Sequence, residues 1–373
     1  MARQDVSPDE NTPVRVLAVT AYSDLPETNM LCGLVQAGVE LEVMGNYDDA
    51  GRQKLEAAGA AVEVLQMKGR FDRDSAARIR QRLIDGRFHI LHAFTNNAVS
   101  NGLRASRGLD VKFIAYRGIV ANVSVFDPIS WTTYLHPRVD RIICVADAIR
   151  RYFVNMKFLW WRFPAGKAIT IYKGHDLGWY QAPAVPRTEF GIPGNAFVVG
   201  CITNERPRKG LPYLIEAAGL LPTDADIHFL LIGKIDGKKT LESLAHSPAK
   251  DRIHLTGFRK DAPQVLAACN ACILPALKRE GLPKGIIEGM VYAVTPIVTD
   301  SGGSPELIEH DKSGLIIPPG SSRAIADAIL ELYENRDACE RMGRAAQRRI
   351  QRDFHTSTTV EQTLAVYREL IDS

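Results

Sequence analysis

Short apolar runs rich in β-branched residues recur along the chain, and they constrain its architecture more than any other feature. "VRVLAVT", "VELEVMG", "AAVEVL", "HILHAF", "KFIAYRG", "RIICVAD" and "AITIYKG" come first; "AFVVGCIT", "IHFLLIG", "RIHLTGF", "CILPA", "TPIVTD" and "GLIIPP" follow. Each is bounded by turn residues. Many are separated by helix-like segments such as "RDSAARIRQRLIDG" and "GLPYLIEAAGLL". Strands that are apolar on both faces and alternate with helices predict buried parallel sheets of βα units, an α/β fold. These are more strands than one doubly wound sheet of this length holds, and 373 residues suit two cores better than one. A proline-rich break, "YQAPAVPRTEFGIPGNA" at 180–196, separates the two groups. The expected plan is a polar tail at 1–13, a Rossmann-like domain at 14–180, a linker at 181–195 and a second Rossmann-like domain at 196–350. A C-terminal helical segment, 351–373, either closes the second domain or crosses back to the first. Ligands of such sheets bind beyond the carboxyl ends of the strands, which predicts a site in the cleft between the halves.

Three strand-to-helix loops of the second half carry candidate chemistry. In "NERPRKGLPYLIEAA", Arg206 and Lys209 precede a helix whose early Pro212 suits its first turn. A guanidinium and an ammonium beside exposed backbone donors suit a diphosphate; the competing reading is two solvated loop charges. In "SGGSPELIE", Gly302 and Gly303 permit close backbone approach, Ser304 can cap, and Pro305 and Glu306 favour a helix start, together an amide-lined cradle for an anion. Between them "KREGLPKGIIEGM" places Glu280 before a helix and Glu288 about one and a half turns into it. Two carboxylates there can grip the hydroxyls of a ligand held at the helix mouth.

Taken together these motifs give a resemblance. "EGLPKGIIE" is an E-x7-E motif; with "RPRKG" before it and "GGSPELI" and "SGLIIPPG" after it, the second half resembles the donor domain of glycosyltransferase family 4 over about 196–345. Over 14–180 the strand pattern is similar to the first domain of the GT-B fold, two Rossmann-like domains facing across a cleft, and "TIYKGHD" stands where that domain usually ends. The resemblance implies a retaining, metal-independent transfer of a sugar from a UDP- or GDP-linked donor, with no other cofactor. It implies that Arg206 and Lys209 hold the diphosphate and that Glu280 contacts the sugar hydroxyls, these three being the expected catalytic residues. Glu288 would take the ribose, Leu282 and Lys284 would offer backbone amides, and Gly302 and Gly303 would complete the donor site. A glycosidase also uses two carboxylates, as acid and as nucleophile or base. That reading leaves the cations and the glycine cradle without a purpose. A nucleotide-sugar epimerase and an idle nucleotide-sugar-binding subunit remain as alternatives of other classes.

The first half is expected to hold the acceptor, a saccharide or a lipid-linked one in lipopolysaccharide, capsule or exopolysaccharide synthesis. His92 and Arg117 follow strands and are acceptor-side candidates, although a satisfied core histidine is the commoner role for His92. Residues 68–173 carry 19 Lys/Arg against 7 Asp/Glu, a local excess that suits an anionic partner. Within it, "RRYFVNMKFLWWRFPAGK" at 150–167 interleaves six aromatics with five cations. Such a mixture marks contact with an anionic membrane surface, or else tryptophans closing a core. No nucleic-acid motif accompanies the charge. The start "MARQDVSPDENTP" lacks a signal peptide's apolar core and no run is long enough to span a bilayer, so the expectation is a cytoplasmic chain, peripheral on the inner face of the membrane. Cys269 and Cys272 form the one C-x-x-C, read as packed thiols without a metal. "DAD" at 224–226 precedes a strand, the wrong end for a site, and the sequon "NVS" lacks a secretory route.

Overall fold

A computed structural model of the chain describes residues 13–373. The tail assigned to 1–13 thus lies almost wholly outside the described residues. The chain divides into two compact units, residues 1–174 with 356–373, and residues 175–355.

The first unit is built on a seven-stranded sheet. Its strands are β1 (Arg15–Val19), β2 (Glu40–Gly45), β3 (Ala61–Val64), β4 (Ile90–Ala93), β5 (Lys112–Arg117), β6 (Arg141–Cys144) and, past a small hairpin of β7 (Lys157–Phe158) and β8 (Trp161–Arg162), β9 (Ala168–Thr170). The order is β3-β2-β1-β4-β5-β6-β9, and every adjacent pair is parallel. The order reverses between β1 and β4, where crossovers leave for opposite edges and a crevice opens at the strand ends. The final helix, Thr356–Ile371, belongs to this unit and sends Val366, Tyr367 and Leu370 into its core.

The second unit repeats the plan with six strands: β10 (Phe197–Ile202), β11 (Ile227–Ile232), β12 (Ile253–Gly257), β13 (Ala271–Leu274), β14 (Thr295–Thr299) and β15 (Leu315–Ile317). The order β12-β11-β10-β13-β14-β15 is again parallel throughout, with its reversal between β10 and β13. Each strand expected from the sequence is present. They are legible because strands covered by helices on both faces must be apolar on both.

Residues 181–195 do not form a free linker. Arg187 fastens them to the second unit, donating to the carbonyls of Ala268 and Ala196 and to Asn270 Oδ1 at 2.7–2.9 Å, and Tyr292 donates to the carbonyl of Ala182. Proline and glycine content signalled irregular backbone, and one arginine spanning three carbonyl-rich loop ends makes that backbone part of the domain.

Candidate functional site

The loops after β10, β13 and β14 rise on either side of the second sheet's reversal point, and they carry the three candidate motifs. After β10 a single 3-10 turn, Pro207–Lys209, ends at Gly210. Gly210 has φ +72, and a Cβ there would lie 1.8 Å from the carbonyl oxygen of Pro275, so only glycine lets this loop lie against the β13 loop. The contact brings the cations of one loop to the carboxylate of the other. Lys209 Nζ donates to Glu280 Oε1 at 2.8 Å, and Arg208 NH1 donates to the same oxygen at 2.7 Å.

Glu280 is 5% exposed. A carboxyl group this buried needs hydrogen-bonding partners, and it has two that carry charge. The loop after β14 closes over its backbone. Gly302 has φ +62 with its missing Cβ aimed at the carbonyl oxygen of Glu280, 2.1 Å away, and the amide of Gly303 donates to that carbonyl at 3.2 Å. The hydroxyls of Ser301 and Ser304 are buried there without a hydrogen-bond partner among the described residues, which leaves donors and acceptors for a ligand.

The helix Lys284–Val291 starts at Pro283, which caps it without a side-chain hydrogen bond; the Pro283 carbonyl accepts from the amides of Ile286 and Ile287. Glu288 lies in this helix, 6% exposed, with Lys284 Nζ 3.2 Å from its carboxylate. A cavity of about 220 Å³ is lined by Lys209, Glu280, Leu282, Pro283, Lys284 and Gly285, among others.

Arg206 is exposed at the loop's edge and precedes the 3-10 turn; Arg208, which the motif alone does not single out, reaches Glu280. The turn's winding, which composition does not reveal, decides which of the three cations points inward. Ser304–Leu307 is one 3-10 turn, not the start of a longer helix, and Ser304 does not cap it.

In the first unit His92 is 1% exposed and its Nδ1 lies 2.7 Å from the hydroxyl of Tyr367 on the final helix. Burial holds its pKa down at about 3. His92 is a neutral core residue, because β4 lies mid-sheet with elements packed on both faces. Arg117 is buried as well. It donates from Nε to the carbonyl of Ile119 at 3.2 Å, from NH1 to Asn96 Oδ1 at 3.2 Å and from NH2 to the carbonyl of Ala121, and it stacks 4.7 Å from the Tyr134 ring. It shapes a loop wall.

Arg117 also lines a cavity of about 320 Å³ with Tyr22, Asp24, Glu27, Thr95, Asn96 and Lys173. These residues end or follow β1, β4, β5 and β9, so this pocket sits at the first sheet's own reversal point. Asp24 caps the helix Leu25–Gln36 through the amide of Glu27 and accepts from Lys173 Nζ at 2.6 Å. Glu27 is buried, one of its oxygens lacks a partner, and desolvation, partly offset by Lys173, pushes its pKa up to about 7. The D-x-x-E spacing of a helix start was the available signal for Asp24 and Glu27. Lys173 joins them from 149 positions away.

A family profile described as glycosyl transferases group 1 matches residues 186–349, and one described as glycosyltransferase family 4 matches residues 28–179. The chain belongs to glycosyltransferase family 4. Among its relatives, N-acetyl-alpha-D-glucosaminyl L-malate synthase of Bacillus anthracis is 24% identical over 188 residues, 50% of this chain and 49% of that protein. The phosphatidyl-myo-inositol mannosyltransferase of Mycobacterium leprae is 26% identical over 307 residues, 80% of this chain and 78% of that one. The alignments with the first of these relatives thus span about half their length. Among solved structures, Anabaena HepE in complex with UDP and glucose superposes with a TM-score of 0.78 at 21% identity, covering 95% of this chain and all of that one. The fold of this family 4 member is GT-B. Among its described residues, no group of three or more His, Cys, Asp or Glu side chains is placed to hold a metal ion, and no helix is long and apolar enough to cross a membrane. Asp226 of "DAD" instead pairs with His228 at the start of β11, and Cys269 and Cys272 are buried free thiols.

Proposed function

We propose that this chain transfers a sugar from a UDP- or GDP-linked donor to a saccharide or lipid-linked acceptor, retaining anomeric configuration and using no metal. The observation that carries the reading is the buried Glu280, held by Lys209 and Arg208 at the second sheet's reversal point and covered by the Gly302–Gly303 loop. Lys209 and Arg208 would meet the diphosphate and stabilise the charge that develops on it as it leaves. Glu280 would accept hydrogen bonds from sugar hydroxyls, and Glu288 from the ribose. The backbone amides at Leu282 and Lys284 would complete the anion's cradle.

The acceptor would enter the first unit's pocket, where Asp24, Glu27, Asn96 and Lys173 offer polar groups between tyrosine rings, a surface suited to hydroxyl-bearing ligands. That solved HepE holds UDP and glucose supports the donor class, and the mycobacterial relative's name supports a lipid-linked acceptor. Residues 150–167 would bring the enzyme to an anionic membrane surface, in keeping with a role in cell-surface polysaccharide assembly.

The deciding experiment is calorimetric titration of UDP, GDP and ADP, without metal, into the wild type and Glu288→Ala. Binding of one nucleotide that the variant loses supports the donor site and selects the donor series. Binding of none overturns the reading.

A further inference from the structure

Residues 150–167 do not behave as one unit. Trp161 is half-buried with its ring 5.0 Å from Trp131, and Phe163 is buried 5.3 Å from Phe153, so these side chains root the segment in the first unit. Between them β7 and β8 form a two-stranded hairpin whose tip is Leu159 and Trp160. Leu159 is 72% exposed and Trp160 is 89% exposed. Beside them Phe158 meets Phe126, itself 77% exposed, edge to face at 5.3 Å. Scattered exposed apolar residues are ordinary; a contiguous cluster of aromatic ones marks an interaction site.

Two local features are unfavourable in water. Leu159 takes φ +51 at the turn, a conformation that glycine usually supplies. Lys157 and Arg162 stand directly opposite each other on the two strands, like charges at the position where opposite charges stabilise a ladder. Neither makes an ion pair among the described residues, whereas Arg150 and Arg151 are both engaged by Asp147. A ladder of two residue pairs has little stability of its own to offset these costs. An interface that is apolar in its depth and anionic at its surface relieves the exposed tip and the paired cations together.

We propose that this hairpin, with Phe126, seats the first unit on an anionic lipid bilayer: Leu159 and Trp160 enter the acyl boundary while Lys157 and Arg162 meet headgroup phosphates. The inference rests on the membrane reading given above and narrows it to six residues. Tryptophan at the headgroup level and cations beside it are the chemistry that such an interface selects. A second copy of the chain fits less well. Residues 150–167 contain no Asp or Glu, so a two-fold contact would set cations against cations.

The test is flotation of the full chain with vesicles of phosphatidylcholine alone and of phosphatidylcholine mixed with phosphatidylglycerol. The wild type should float only with the anionic vesicles. Trp160→Ser, a change at a solvent-exposed tip, should lower binding by about tenfold or more, and Lys157→Glu/Arg162→Glu should abolish it. Wild type that fails to float, or Trp160→Ser that floats as well as wild type, overturns the proposal. So does a wild-type dimer that Trp160→Ser converts to monomer, which would assign the patch to a second copy. Nucleotide affinity measured on the same samples separates the two readings. Lost flotation with unchanged nucleotide binding concerns the hairpin, whereas wild type that binds no nucleotide concerns the transferase reading alone.

Discussion

Lys209 and Glu280, 71 positions apart, meet through a 2.8 Å hydrogen bond from Nζ to Oε1, and Arg208 shares that oxygen. The buried carboxylate therefore offsets part of the positive charge of the two cations assigned to the diphosphate. Glu280→Gln removes that competing charge. Bare UDP or GDP should bind several-fold tighter to the variant. The extra affinity of the nucleotide-sugar over bare nucleotide should fall by about ten- to hundredfold, the worth of one or two charge-assisted hydrogen bonds. Calorimetry with both ligands reads both quantities. An unchanged difference between them would remove Glu280 from the sugar site.

Lys209→Met tests the leaving-group role. The side chain keeps its apolar stem and loses its charge, so packing beside Glu280 is largely preserved. An interaction that strengthens as the diphosphate departs lowers kcat when removed, and one made equally throughout raises KM alone. The expected outcome is a kcat reduced about a hundredfold with KM changed severalfold at most. Steady-state kinetics with a soluble acceptor decides it, and an unchanged kcat contradicts the role.

The Gly302 position is predicted to be intolerant of any side chain. A methyl group there would sit 2.1 Å from the carbonyl oxygen of Glu280, with φ at +62. Both the collision and the left-handed backbone act against Gly302→Ala, and the loop must move off Glu280. The cost should be about 1–3 kcal/mol in urea unfolding, with nucleotide affinity falling alongside. Gly303, whose amide rather than its missing side chain makes the contact, should accept alanine at lower cost.

What the sequence revealed follows from how local each signal is. Sheet strands were visible because burial on both faces leaves a run of apolar residues in each. The β7–β8 hairpin was not, since two residues per strand carry no alternation to detect. Glu280 and Glu288 could be singled out because the turn and helix start between them fix their spacing. That Arg208 reaches Glu280 follows from the winding of one 3-10 turn closed by Gly210, which the motif does not show. His92 reads as a site residue along its own strand, and only the placement of β4 at mid-sheet, under Tyr367, makes it core. Lys173, Asp24 and Glu27 come together through the order of the strands, which no local pattern encodes.

Glu27 offers a prediction in the pH dependence of stability. Burial raises its pKa from 4.5 to about 7, so between those values the folded state holds a proton that the unfolded state has released. Stability contributed by this group is fully present below its unfolded value and is lost as pH rises through its folded one. The loss approaches about 3 kcal/mol above pH 7, because a tenfold change in proton affinity is worth about 1.4 kcal/mol. Glu27→Gln keeps the shape without the charge and should not suffer it. His92, which together with Glu27 lines a second, smaller cavity of the first unit, titrates with the opposite sign, because its depressed pKa withdraws stability as pH falls below its ordinary value of 6.5. The quantity to read is therefore the difference between variant and wild type at each pH, from urea unfolding. That difference should be small near pH 4.5 and grow in the variant's favour up to pH 7 and above. A constant difference would mean that Lys173 keeps Glu27 ionised throughout, with the pocket presenting a fixed negative charge to its ligand.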